Sequence, residues 1–320
     1  MSSNFLSGLL APKFPATALG LEAGRATVVQ LERKRREGFA LKRAATIALP
    51  EELIRPSFDE TNIADLNELA DTLAELATGA GLLGQRRWSA ALPEAAARTM
   101  ILTMEGTPAS RKEQDEILRW KTERSFGLPL EELRVTREGL SPDTQGRPRY
   151  IMTGVRLSVL EEYEAVFQSL GWRAGLILPR HLGEARWLMQ GRTVGDALLV
   201  STNVEGFTAI MLHNARPSIV RSVACAAEEC ANELYRLMLF YRDRVAAQGA
   251  DAQSLPLERL LVISSDEGFG AERVREIVGE TLGLSMNALR AEDVGLALPS
   301  ADISFNALAA PAGLATLAWA

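Results

Sequence analysis

Apolar residues recur along this chain at two spacings, and the changes from one to the other outline its elements. Short apolar runs at Ala18–Leu21, Thr27–Leu31 and Phe39–Leu49 are broken at Ala23-Gly24 and by the charged run Glu32–Gly38, which predicts a three-stranded meander. The period then lengthens. Ile63, Leu66, Leu69, Ala70, Leu73, Leu76 and Ala77 recur every three or four residues, the spacing of one buried helix face, with Asn62 as N-cap and an end near Gly79. A second unit follows, with strands Trp88–Leu92 and Ala97–Met104, helix Ser110–Ser125, and strands Glu132–Leu140 and Arg149–Leu157 joined by a hairpin carrying Gly146 and Pro148. Helix Val159–Leu170, strand Arg173–Leu178 and helix Arg180–Met189 come after it.

The opening pattern then returns. Strands Ala197–Val200, Phe207–Leu212 and Ser218–Val223, the last two joined by the turn His213–Pro217, repeat the meander. Helix Ala226–Ala247, strand Arg259–Ile263 and helix Ala271–Leu282 follow, as helix, strand and helix follow the first meander. Two related α/β lobes are implied. The compact α+β unit, taken as Trp88–Leu157, is inserted in the first lobe, and the second lobe is reduced.

Composition narrows the function. At 320 residues the chain exceeds the size at which single cores stop growing, which fits two lobes. Its 35 basic and 41 acidic residues give a net charge of −6, so no overall field draws the chain to nucleic acid. None of its lysines follows a glycine, which excludes the P-loop pattern. Two cysteines and two histidines offer no cluster at zinc-ligand spacing, and the expectation is that no metal is bound. Cys225 and Cys230, read as members of one helix, point about 140° apart, which makes a mutual disulfide geometrically poor. No apolar run reaches membrane-spanning length, so the expected location is the cytoplasm. Phe5, Leu6, Leu9 and Leu10 form an apolar segment that reads as a terminus docked on the body, with contact to a membrane or partner as the other reading.

Gly79–Gly84 spells G-x-G-x-x-G but follows a helix and precedes a strand, the reverse of a dinucleotide turn, and reads as a helix C-cap. No nucleophile elbow is present, neither histidine lies beside a partner nucleophile, and His213 reads as a solvated turn residue. Trp120, among Ile117 and Leu118, reads as a core residue of its helix.

Several stretches in chain order resemble the PilM family of pilus-assembly proteins, actin-like relatives of FtsA. They are Leu19–Gly24, the strand ending Ala91-Leu92-Pro93, the helix through Glu113–Glu123 followed by Phe126-Gly127-Leu128-Pro129, Leu170-Gly171-Trp172, Phe240-Tyr241, and a last helix over Ala310–Leu317. The resemblance implies an actin-like, duplicated ribonuclease H-like fold whose lobes grip a nucleotide between turns. Residues 1–16 would be an N-terminal segment, 17–87 and 158–195 the first lobe, and 88–157 the insertion. Residues 196–299 would be the second lobe, with 300–320 packing back on the first.

The departures from that family carry the functional reading. At the first phosphate turn the family writes Asp-Ile-Gly-Ser, and here stand Glu22, Ala23, Gly24 and Arg25. At the second, Thr202-Asn203-Val204 replaces Asp-Ile-Gly, ahead of Glu205, Gly206 and Thr208. The carboxylate expected to organise Mg²⁺ and attacking water is lost there, unless Glu205 supplies it. At the adenosine turn, Ser264, Ser265, Asp266, Glu267 and Gly268 replace Gly-Gly, and the added carboxylates repel phosphate. Strand Ser218–Val223 also runs almost directly into the next helix, where the family inserts a subdomain that closes the cleft. These residues are therefore read as degenerate cleft positions, with no catalytic residue and no bound ATP or other cofactor. The resemblance implies a cytoplasmic scaffold on the inner face of the inner membrane, in a type IV pilus or type II secretion platform. It would hold the N-terminal cytoplasmic peptide of a PilN-like single-span protein in a groove between the first lobe and residues 88–157, beside other platform components. The competing readings are an active ATPase using Glu22 and Glu205, or a small-molecule kinase of the same fold.

Overall fold

The computed structural model describes residues 13–34, 38–106, 108, 110–143, 145–190, 195–203, 205–247, 257–264, 269–299 and 303–320. The apolar segment Phe5–Leu10 and cleft positions Ser265 and Gly268 lie outside them.

The first meander is β1 (Thr17–Glu22), β2 (Arg25–Arg33) and β3 (Phe39–Ala48), paired antiparallel in sequence order. β4 (Arg87–Leu92) lies parallel to β1, and β8 (Arg173–Pro179) lies parallel to β4 at the sheet edge. β13 (Leu296–Ala297) adds to the opposite edge, giving the order β13-β3-β2-β1-β4-β8. Two sequence assignments are thereby corrected. Trp88–Leu92, given to the insertion, is a central strand of the first lobe, and Leu296–Ala297, given to the second lobe, pairs with β3. Both pairings are long-range, and neither leaves a local signature.

Alternation along the strands sends side chains into two cores. Leu19, Val28 and Ala90 enter one, roofed by α1 (Leu66–Gly79) and α3 (Leu157–Ser169), while Ala18, Val29 and Ala91 enter the other. The second core lies between the lobes. It takes in α4 (Arg180–Met189), α7 (Phe305–Ala315), and Leu199, Ile210 and Leu261 from the other sheet. Small residues let these layers approach: a methyl on Gly313 would lie 1.8 Å from Gly183 O, and one on Gly20 would lie 2.9 Å from Pro311 Cδ. Trp187 is fully buried there and donates to Ala309 O at 2.8 Å.

The second meander, β9 (Asp196–Asn203), β10 (Gly206–His213) and β11 (Arg216–Ala224), joins β12 (Leu257–Ile263) in a sheet of order β11-β10-β9-β12. Its far face is covered by α5 (Ala227–Ala247) and α6 (Ala271–Leu282). β12 parallel to β9 reproduces β4 parallel to β1.

The insertion is a three-stranded sheet, β5 (Arg98–Thr103), β7 (Arg149–Arg156) and β6 (Leu133–Leu140) in that order, with α2 (Arg111–Phe126) against it. Its small core gathers Phe126, Leu133 and Met152 with Phe58 of the first lobe. Only Leu118, Thr122 and Phe126 of α2 are buried, a spacing of four that turns Trp120 outward. Trp120 is 55% exposed, with Arg124 over its ring, so its sequence assignment to the core is wrong. The N-cap of α1 is Asp65, which accepts from the N–H groups of Asn67 and Glu68. Asn62 is instead buried in the preceding turn, where its amide group donates to Ser57 O and Glu60 O. Gly81, with φ +69°, sits just past the end of α1, as a C-cap glycine does.

Candidate functional site: the interlobe cleft and its flanking groove

The β1–β2 turn places Glu22 and Arg25 three residues apart at the mouth of a hairpin, where Arg25 Nη2 donates to both Glu22 carboxylate oxygens at 2.8 and 2.9 Å. Arg180, the first residue of α4, reaches Glu22 at 3.1 Å and Glu184 one turn on at 2.9 Å. Burial opposes the charge of Arg180, but Glu184, Glu22 and Glu94 outweigh it and raise its pKa. Burial pushes the Glu184 carboxyl up. Gly24 is held in the turn by Leu49 N–H, which donates to its carbonyl at 2.9 Å. Every charge at the first turn is therefore matched within the protein.

His181, next on α4, is fully buried between three bodies. Its Nδ1 lies 2.8 Å from Glu94, just past β4, and its Nε2 lies 2.8 Å from Thr99 Oγ1 in β5 of the insertion. Since an ionised carboxylate only accepts, Nδ1 carries the proton. Thr208 of the second lobe donates its hydroxyl proton to Glu94 Oε1, and Ser222 Oγ lies 2.8 Å from the Thr208 hydroxyl. Burial alone would raise the Glu94 pKa. Pairing with His181, the Thr208 hydrogen bond and the nearby Arg180 reverse that effect and hold the carboxyl below its usual range. The two leading residues of α4 thus tie the first turn to a carboxylate that the second lobe also grips.

The second turn is built differently. Thr202 is fully buried with its hydroxyl unpartnered, and Asn203 Oδ1 accepts from Glu205 N–H at 2.8 Å. Glu205 carries a carboxyl raised by burial. Gly206 has φ +141°, and a methyl there would lie 2.0 Å from Val223 O, so glycine is required by the close approach of β11 and not by a ligand. Ser264 accepts from Asn306 Nδ2 at 3.4 Å. Of the cleft residues read from sequence, Glu22, Gly24 and Arg25 stand together, and Thr208 joins them through Glu94, His181 and Arg180. Glu94, His181, Arg180 and Glu184 were missed, although the Arg180–Glu184 spacing of four, which places opposite charges on one helix face, was a usable signal. His213 is exposed and its Nδ1 pairs with Asp196 at 2.6 Å. Among the described residues no cluster of His, Cys, Asp or Glu is arranged to hold a metal ion, and no helix is long and apolar enough to cross a membrane.

Two cavities flank this network. One, of about 550 Å³, opens between β5, the Pro56–Asp59 loop and β10–β11, with Glu94, Thr99 and Thr208 in its wall. The other, of about 270 Å³, lies between β8 and the inserted sheet. Leu92, Val155, Leu160, Ile177 and Leu178 give it an apolar floor, and Arg134, Thr136, Thr153 and Glu164 a polar rim. Among the described residues β8 is an edge strand; its first three residues are exposed, and Ala174–Pro179 line this groove.

A solved structure described as the PilM-PilN type IV pilus biogenesis complex matches 96% of this chain and 98% of its own with a TM-score of 0.68. The fold is actin-like, of the PilM type. Sequence identity is 16%, so the likeness is one of fold. The cytoplasmic domain of EpsL, an inner-membrane component of the type II secretion system of Vibrio cholerae, matches 85% of the chain and 96% of its own at 12% identity and a TM-score of 0.41. A Bacteroides thetaiotaomicron protein with an actin-like ATPase fold matches 99% of both chains at 10% identity and 0.46. No protein-family model and no curated protein matches the sequence.

Proposed function

We propose that this chain is a nucleotide-independent scaffold of a type IV pilus or type II secretion platform. It works on the cytoplasmic face of the inner membrane and takes the N-terminal cytoplasmic peptide of a single-span membrane protein, of the PilN kind, in the groove beside β8. The observation that carries this reading is a parallel edge strand, unpaired on its outer side among the described residues, that lines an apolar cavity whose second wall is the inserted sheet. An extended peptide adding to β8 would satisfy its main-chain donors and acceptors, and the apolar floor would take alternate side chains. Its ordering entropy limits affinity to a few anchors.

The cleft chemistry supports the absence of ATP hydrolysis. Phosphoryl transfer needs carboxylates free to hold Mg²⁺ and orient water, and cations free to neutralise the transferred group. Here Glu22 is committed to Arg25 and Arg180, and Glu94 to His181 and Thr208. The second turn offers Thr202 and Asn203 where a carboxylate is expected. A nucleotide would have to break these pairs before binding, leaving buried charges unmatched.

Thr136→Trp tests the groove without touching a core, since Thr136 is exposed on β6 and lines the rim. Pull-down of the membrane partner, or titration of its N-terminal peptide, should weaken at least tenfold, about 1.4 kcal/mol, with an unchanged melting curve. Full-strength binding by a folded Thr136→Trp protein would place the peptide elsewhere.

A further inference from the structure

Cys225 and Cys230 do not share a helix. Cys225 follows the last residue of β11, its N–H donating to Glu205 O at 2.9 Å, and α5 begins only at Ala227. The Cys225 side chain meets the first turn of α5, and the two sulfurs lie 3.0 Å apart, both as free thiols. The expectation of poor disulfide geometry is thus overturned. The 140° separation holds only for two residues of one helix, and Cys225 is outside it.

The pair is asymmetric. Cys225 is half-buried and open to reagents, whereas Cys230 is buried, donates to Ala226 O at 3.4 Å, and has its thiol pushed up to about 12 by burial and the neighbouring sulfur. A site with one accessible sulfur and one sheltered sulfur in contact has the form of an attacking and a resolving thiol.

We propose that Cys225 and Cys230 form an intramolecular disulfide by exchange with a low-molecular-weight disulfide such as oxidised glutathione. The Cys225 thiolate attacks one sulfur of that disulfide, a new S–S bond forms at Cys225, and one small thiolate leaves. Cys230 then attacks the Cys225 sulfur, giving up its proton to the second departing thiolate. Two protein thiols are oxidised and one small disulfide is reduced to two thiols, so electrons and protons balance. The sulfurs need to close by about 1 Å to reach bonding distance, and their side chains already point together. Closure ties the end of β11 to the first turn of α5. Because Cys225 N lies 3.1 Å from where a side chain on Gly206 would begin, the bond also braces the wall behind the second cleft turn.

The test uses the full chain incubated with oxidised glutathione and followed by intact mass. The expected product has lost two hydrogens, has no alkylatable thiol, and yields a linked peptide pair after cleavage at Glu228 and Glu229; reduction reverses all three. Cys230→Ser should stop at a stable glutathione adduct on Cys225, and Cys225→Ser should stay unmodified. The proposal is overturned if the unaltered chain retains glutathione on Cys225, forms disulfide-linked dimers, or keeps both thiols free. Modification of Cys225→Ser at Cys230 would overturn the assigned order of attack.

Discussion

The contact between Thr208 and Glu94 joins the second lobe to the first, and its removal is the sharpest test of the cleft network. Thr208→Val replaces a hydroxyl by a methyl of similar volume, so packing in this fully buried position is preserved. What is lost is one hydrogen bond to an ionised carboxylate whose side chain is only 10% exposed, which water cannot readily replace. Hydrogen bonds to charged groups contribute about 1.5–3 kcal/mol. The Ser222 hydroxyl also loses its neighbour, so the expected cost lies toward the top of that range, about 2–3 kcal/mol. Urea denaturation should show a lowered midpoint with an unchanged slope. In a Glu94→Gln background the same substitution should cost at least about 1 kcal/mol less, because the charge that made the bond strong is gone. A cost below about 0.5 kcal/mol, or equal costs in the two backgrounds, would refute the network as the link between the lobes.

Three further outcomes follow from the same geometry. Gly206→Ala should destabilise the second lobe by more than the roughly 1–3 kcal/mol of backbone strain alone, because the new methyl would meet Val223 O; normal urea stability would mean that the turn has no such close approach. Glu94 has a folded pKa below its ordinary 4.5, so it stabilises the fold above that pH and the contribution fades as pH falls through the folded value; urea midpoints of the unaltered chain should therefore drop more steeply with acid than those of Glu94→Gln, and parallel curves would contradict the assignment. Saturating Mg-ATP should leave the melting curve in place, whereas a working site at a hundredfold excess over Kd would add about 2.7 kcal/mol; a clear shift, or a turnover that disappears in Glu22→Gln, would show that the cleft is active.

Much of the fold could be read from the sequence because its signals are local. The short apolar runs of β1–β3 and β9–β11, bounded by turn residues, and the three-and-four spacing of α1 mark their elements without reference to anything distant. What escaped was set by long-range partners. β4 reads as the start of the insertion until β1 and β8 are seen on either side of it, and β13 is two residues recruited by β3. Trp120 reads as core because Ile117, Leu118 and Phe126 lie near it on the same helix, yet the face of α2 turned to its sheet runs through Leu118, Thr122 and Phe126. The site divides the same way. The turn residues Glu22, Gly24, Arg25, Gly206 and Thr208 stood out through the resemblance to the PilM family, but their meaning depends on Arg180, His181 and Glu94, which converge from separate parts of the chain.

The central claim is that β8 receives an extended peptide. Backbone amide exchange of the full chain, with and without the N-terminal cytoplasmic peptide of its membrane partner, tests this at the strand itself. The account predicts slowed exchange within Arg173–Leu178 and in the facing residues of β6, with the cleft turns at 22–25 and 202–208 unchanged. Binding that leaves β8 unprotected, or protects the cleft turns instead, would contradict it.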